Sequence, residues 1–214
     1  MKSAKATFKT LAALVTVVSG LCAQAVPVTA LPGSASYSFG NENYVGNGPR
    51  AVAPGITWTA SNADSLFGWT GVYSFLGHGD WSSRSMIGLG DNFGSMTLSF
   101  SSSVLGVGAF MNYVPDPTPD GLARIAIYDS SMTMLESFTL DFSTNAPNAG
   151  EFHGFLRDSA DIHFMTFSGG FIGAADLQVI ANPVPEPSTY ALFALGLVAV
   201  AIAARHRRKA QTVV

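Results

Sequence analysis

The chain has 214 residues, 48% hydrophobic and 12% charged, with a formal net charge of −3; that composition excludes a disordered chain and provides for one domain with a sizeable core. The charge is unevenly spread: between residues 26 and 184, four arginines (Arg50, Arg84, Arg124 and Arg157) face thirteen carboxylates, a net of about −9, with no lysine and no cysteine. An acidic, lysine-free middle argues against nucleic acid and anionic lipid as partners, and the missing cysteines exclude thiol and disulfide chemistry there.

The N-terminus reads as a secretory signal peptide. Lys2, Lys5 and Lys9 form a basic start, residues 11–21 (LAALVTVVSGL) are apolar, and Ala23-Gln24-Ala25 gives the small-x-small pattern that signal peptidase cuts. Residues 1–25 are therefore expected to be removed after passage through the Sec machinery, the plainer alternative being an uncleaved anchor. Cys22 does not make a lipoprotein signal, because large Leu21 precedes it, so it should leave with the leader.

From residue 26 to residue 183 the hydrophobic period is two. Met96, Leu98 and Phe100 alternate with Ser95, Thr97 and Ser99; Ile125 and Ile127 with Arg124, Ala126 and Tyr128; Phe138, Leu140 and Phe142 with Thr139 and Asp141. Such segments bury one face and wet the other. Strands are expected at 34–39, 56–60, 71–75, 86–89, 95–101, 104–112, 123–128, 135–142, 150–157, 161–168 and 174–180. Turn residues separate them at Asp91-Asn92, Asp129-Ser130-Ser131, Asn145-Ala146-Pro147-Asn148 and Gly169-Gly170. Many short strands with regular turns predict an all-β, two-sheet sandwich of jelly-roll type. The proline-rich stretch from Pro115 to Gly121 reads as a stiff exposed loop, and there is no internal repeat.

Four groups of residues in this domain bear on chemistry. Trp58, Trp69 and Trp81, with Tyr44 and Tyr73, crowd the N-terminal half. Exposed, these rings form a glycan-stacking platform; turned inward, they form core. His78-Gly79-Asp80 beside Ser82 and Ser83 invites a hydrolase reading, but no nucleophile-elbow pattern accompanies it, so a plain loop is favoured. His153 and His163 lie on strands that a hairpin would make neighbours, where Asp161 or Glu151 would supply a third metal ligand. Two ordinary strand histidines are the simpler account, since a metal needs three or more ligands. Asp91, Asp116, Asp120, Asp129 and Asp176 could hold a structural Ca²⁺ through loop carboxylates; without an EF-hand pattern, solvated turn aspartates are the simpler account. No cofactor is called for.

The C-terminus carries a third organised segment over residues 184–209. Val184-Pro185-Glu186-Pro187-Ser188-Thr189 is followed by uncharged residues 190–204 and then by Arg205, His206, Arg207, Arg208 and Lys209. As a helix the apolar run extends about 22 Å, against about 30 Å of hydrocarbon, so it is expected to be a marginal single transmembrane span. Arg205, Arg207, Arg208 and Lys209 should stop it on the cytoplasmic side by the positive-inside rule, which places the acidic domain outside.

This order of motif, apolar helix and basic cluster resembles the PEP-CTERM sorting signal of Gram-negative bacteria. The resemblance covers about the last 25 residues and implies recognition of Val184, Pro185, Glu186, Pro187 and Ser188 by an exosortase. It further implies transient residence in the inner membrane, removal of the tail, and release to the cell surface or matrix. The same signature is sometimes labelled after ice-binding proteins, which proves no ice activity. More loosely, the succession SMTLSF, VLGVGAF, RIAIYD, ESFTLDF, GEFHGFL and FIGAADLQV looks like the ectodomains found ahead of such tails. That likeness implies a carbohydrate-binding-like sandwich and assigns no ligand residues. The expectation is a non-catalytic surface or matrix protein that binds exopolysaccharide. A polysaccharide hydrolase would need two carboxylates about 5–9.5 Å apart in a groove. An ice-binding protein would need a flat array of threonines, and the threonines here are scattered along the chain.

Overall fold

The computed structural model describes residues 27–115, 122–182 and 192–200. The period-two segments are strands, and their alternation is spatial. Met96, Leu98 and Phe100 are buried, whereas Ser95, Thr97 and Ser99 between them are partly exposed. Ile125 and Ile127 on β10 (Arg124–Tyr128) and Met165 and Phe167 on β13 (Ile162–Ser168) repeat the pattern. The domain is all-β.

Its architecture turns on β9 (Ser95–Asn112), expected as two strands and formed as one of 18 residues. The first half of β9 pairs with β13 on one edge and with β4 (Ile56–Ala60) on the other. The second half pairs with β12 (Glu151–Leu156) and β14 (Gly173–Ala181). Between the halves lie Ser101, Ser102 and Ser103, small polar residues that let the strand bend from one layer into the other. Both ends of β9 return to the same connection: Gly169 N–H donates to Gly94 O (3.3 Å), and Val114 N–H donates to Gly170 O (2.6 Å).

The first layer runs β11 (Met134–Thr139), β10, β13, β9, β4, β3 (Arg50–Ala53). The second runs β12, β9, β14, β8 (Met86–Gly88), β5 (Leu66–Trp69), β2 (Tyr44–Val45). There β1 (Ala35–Tyr37) takes over from β8 along β14. The expected two sheets are therefore two layers of one hydrogen-bonded sheet folded over at β9. A separate small hairpin, β6 (Tyr73–Ser74) with β7 (Asp80–Trp81), brackets the 3₁₀ turn Leu76–His78. The short strands β2, β3, β5 and β7 were not expected from the sequence.

Between the layers Trp58, Phe67, Leu98, Val107, Phe155, Phe167 and Leu177 belong to one buried cluster. Burying each such side chain contributes about 1.5–3 kcal/mol. On the outer side of the second layer, Gly154 lies directly opposite Gly108. A Cβ on Gly154 would stand 2.7 Å from the Gly108 Cα and 2.7 Å from Val107 O, both backbone atoms that cannot swing aside. Gly154→Ala is accordingly expected to lower unfolding stability in urea by about 1–3 kcal/mol, the usual cost of overpacking. A stability equal to that of the parent chain would mean the β9–β12 pair is looser than described.

Residues 192–200 of the expected span are helical and exposed; the rest of 190–204 lies outside the described residues. Among the described residues no helix is long and apolar enough to cross a membrane.

Candidate functional site

The tryptophans separate sharply. Trp58 and Trp81 are 0% exposed. This corrects the expectation of a three-ring glycan platform, because neither ring has a face to offer. Trp58 packs against Phe67 (centroids 5.3 Å apart) and the edge of Tyr44 (6.5 Å). Its alternation with Thr57 and Thr59 on β4 turns it inward. Trp81 lies between Phe75 (5.0 Å) and Phe110 (5.8 Å), and its indole N–H donates to Ala149 O (2.6 Å). Trp69 alone is partly exposed, with its N–H on Val72 O (3.3 Å). The Tyr44 ring is covered by the Arg50 guanidinium at 3.7 Å. Tyr73 donates its hydroxyl to Leu89 O (2.8 Å), and burial raises its pKa.

His153 and His163 are not hairpin neighbours. β12 and β13 follow one another along the bent β9, each paired with its own half of that strand, so the two histidines fall in different layers. His153 is buried and enters a stack with Phe138 (5.5 Å) and Phe142 (5.3 Å), and Phe142 in turn stacks on His78 (6.3 Å). Tyr113 meets both His78 and Phe142 edge-on and donates its hydroxyl to Phe142 O (2.8 Å). These rings fill the seam between β11 and the segment after it in the first layer, and β12 in the second. His78 is 6% exposed, and its Nδ1 has no partner among the described residues. Ser82 and Ser83 direct backbone N–H groups at Asn148 and Thr70, and no serine hydroxyl bonds His78 among the described residues.

Burial lowers the pKa of both stacked imidazoles. The Tyr113 backbone partly opposes this at His78, and Glu151, 3.3 Å from His153 Nε2, opposes it at His153. In the unfolded chain each imidazole protonates near pH 6.5, in the folded chain at lower pH. Below about pH 6.5 the unfolded state therefore binds more protons, so this contribution to stability is complete above that pH and is lost as pH falls. Thermal melts at about pH 7.5 and 5.5 are expected to show a lower midpoint at the acid end. His153→Phe is expected to narrow the difference; an unchanged difference would remove His153 as its source.

The loop aspartates serve their own turns. Asp129 Oδ1 accepts the N–H groups of Ser131 and Thr133 (both 2.8 Å), and Asp91 Oδ1 accepts that of Phe93 (3.0 Å). Asp176 lies 3.5 Å from Arg84. Asp116 and Asp120 lie outside the described residues. No group of three or more His, Cys, Asp or Glu side chains able to hold a metal occurs among the described residues.

The threonines scattered in sequence converge in space. Thr59, Thr97 and Thr166 are successive cross-strand partners on β4, β9 and β13. The pairs Thr57–Ser99 and Ser95–Ser168 flank that row on the same outer face of the first layer. Sequence spacing carries no trace of this, because it depends on the register of strands distant in the chain.

Ala23 and Ala25, Val184, Pro185, Glu186, Pro187 and Ser188, and Arg205, Arg207, Arg208 and Lys209 lie outside the described residues. For the tail the comparison with known families supplies the finding: the PEP-CTERM protein-sorting motif matches residues 183–209. No curated protein matches the chain. Among solved structures, similarity extends to a Streptococcus pneumoniae fucose binding module, at 13% identity and TM-score 0.31 over 46% of this chain and 71% of that one. It extends also to the lectin domain of lectinolysin complexed with Lewis B antigen, at 9% identity and TM-score 0.30 over 45% of this chain and 72% of that one.

Proposed function

From the PEP-CTERM protein-sorting motif at residues 183–209, we propose that the chain is an exported, non-catalytic surface or matrix protein. Its tail is cut by an exosortase, and its β domain binds exopolysaccharide. The observation that carries the sorting part is the match at residues 183–209, in which Pro185-Glu186-Pro187, an uncharged run and a basic cluster follow in that order. A basic end that stays in the cytosol and an acidic, cysteine-free domain fit export with the domain outside. Signal peptidase and the Sec machinery would act at the N-terminus, exosortase at the C-terminus, and the inner membrane is a transient station.

Mass spectrometry of the protein from hosts with and without an exosortase tests this. The mature C-terminus is expected upstream of residue 190 only when the enzyme is present, and replacing Pro185, Glu186 and Pro187 by alanine is expected to abolish the cut. A chain still ending at Val214 in a host that processes other such tails would refute the sorting role. One alternative has an observation in its favour: the Thr59–Thr97–Thr166 row gathers threonines on one face, one element of the array that an ice-binding protein would need.

A further inference from the structure

We propose that the outer face of the first layer binds an extended polysaccharide through its rows of free hydroxyls, with Arg124 holding a carboxylate carried by that polymer. This rests on the exopolysaccharide-binding reading above and gives it a site.

Strand register fixes the composition of the face. The central row is Thr59, Thr97 and Thr166, continued by Ala126 and Ser137 on β10 and β11. One row along, Arg124 stands between Ser168 and Thr139. One row the other way, Tyr128 is directly opposite Phe164. At about 4.8 Å per strand, the three central threonines present hydroxyls across about 10 Å of surface. All are partly exposed, and none of their hydroxyls makes a hydrogen bond within the protein among the described residues. Their donors and acceptors are open to an outside partner.

Charge on this face is selected. The domain carries thirteen carboxylates, yet these rows contain no Asp or Glu; Glu136, on β11, is turned inward and buried. Three of the four domain arginines are matched by acids: Arg50 with Glu42 (3.8 Å), Arg84 with Asp176 (3.5 Å) and Arg157 with Asp161 (2.9 Å). Arg124 is exposed and, among the described residues, has no carboxylate partner. Among the described residues, Arg124 is thus the one arginine left without an acid, and it stands in rows that hold no carboxylate, which complements a carboxylate brought by the ligand.

The remaining features fit a sugar polymer. Tyr128 and Phe164, adjacent and partly exposed, offer ring surface to the apolar faces of sugar rings. Hydroxyl-to-hydroxyl bonds are individually weak in water, so the face suits a repeating chain that engages many at once over a single sugar.

The full chain, in mild detergent, would be run by affinity electrophoresis through gels containing xanthan, whose cellulose-type backbone carries uronate branches, or hydroxyethyl cellulose, which has the backbone without the acids. In a buffer of about 0.15 M salt, which screens the repulsion between the acidic domain and an acidic polymer, retardation is expected in both gels and stronger in xanthan. The triple variant Thr59→Val, Thr97→Val, Thr166→Val keeps side-chain shape and strand preference while removing three hydroxyls. It is expected to weaken binding to both polymers about tenfold or more, with an unchanged thermal melt. Arg124→Gln, at an exposed position, is expected to lose affinity for xanthan alone. If the parent chain is retarded and both variants match it, the site is wrong while the polysaccharide reading survives. If the parent chain is retarded by neither polymer, both fall. If it instead inhibits ice recrystallisation and the triple variant does not, the face belongs to ice and the proposal is overturned.

Discussion

Trp58→Ala is expected to destabilise the domain by about 3–5 kcal/mol, the range found when a large buried aromatic is truncated. For a domain of this size that corresponds to roughly 10 °C in melting temperature. The ring is fully buried, packed on Phe67 and edge-on to Tyr44, and paired through its backbone with Leu98 at the centre of the first layer. Its removal opens a cavity that β-sheet neighbours cannot collapse into without breaking register. Trp58→Phe should cost less, because most of the apolar volume stays and an indole N–H that has no acceptor among the described residues is discarded. Trp69→Ala, at a partly exposed site, is expected to cost about 1 kcal/mol. Denaturant unfolding of the three variants measures these differences. Should Trp58→Ala melt with the parent chain yet lose polysaccharide binding, the ring would be a ligand contact after all and its burial misread.

That contrast shows what the sequence could convey. The pattern ITWTA at residues 56–60 already places Trp58 with Ile56 and opposite Thr57 and Thr59. Its burial was legible from period two, and reading the three tryptophans as a set obscured it. The alternating segments were legible for the same reason. What stayed hidden is non-local. Nothing in SFSSSVLG announces that β9 continues through its serines into the other layer, since either a loop or a bend would suit Ser101, Ser102 and Ser103. The hairpin drawn between His153 and His163 failed on that point: the two strands follow the bend of β9. Pairing of Thr59, Thr97 and Thr166 likewise depends on which strands meet, so the hydroxyl face is invisible in linear order. Short strands such as β2 and β7 carry too few residues for any period. The sorting tail was legible because it is a linear signal, read by its order of motif, apolar run and basic cluster, with no tertiary register involved.

The seam that closes the two layers supplies the other large effect. Arg157 follows β12 in the second layer and reaches across to Glu136 of β11 in the first. It also grips Asp161 with two parallel bonds, Nε to Oδ1 at 3.1 Å and Nη2 to Oδ2 at 2.9 Å. The Glu136 side chain is only 6% exposed, and its second oxygen has no partner among the described residues. Arg157→Ala would leave that carboxylate buried and unpaired, and breaking a buried pair from one side costs about 3–5 kcal/mol. Arg157 and Asp161 are 23% and 31% exposed, so solvent screening places the expected loss at the lower end, near 3 kcal/mol. Changing both partners, Arg157→Leu with Glu136→Leu, removes the stranded charge and is expected to recover most of the loss. The hydrogen bonds from Arg157 also hold the Asp161 pKa below the ordinary carboxylate range. That part of the stability is present above about pH 4 and lost as pH falls through the acid range, where the unfolded chain takes up the proton first. Urea unfolding at neutral pH and near pH 3 should therefore show the parent and Arg157→Ala chains converging in acid. A cost below about 1 kcal/mol at neutral pH, or a double variant no better than the single one, would mean that the layers are held at this edge by the His153, Phe138 and Phe142 rings alone.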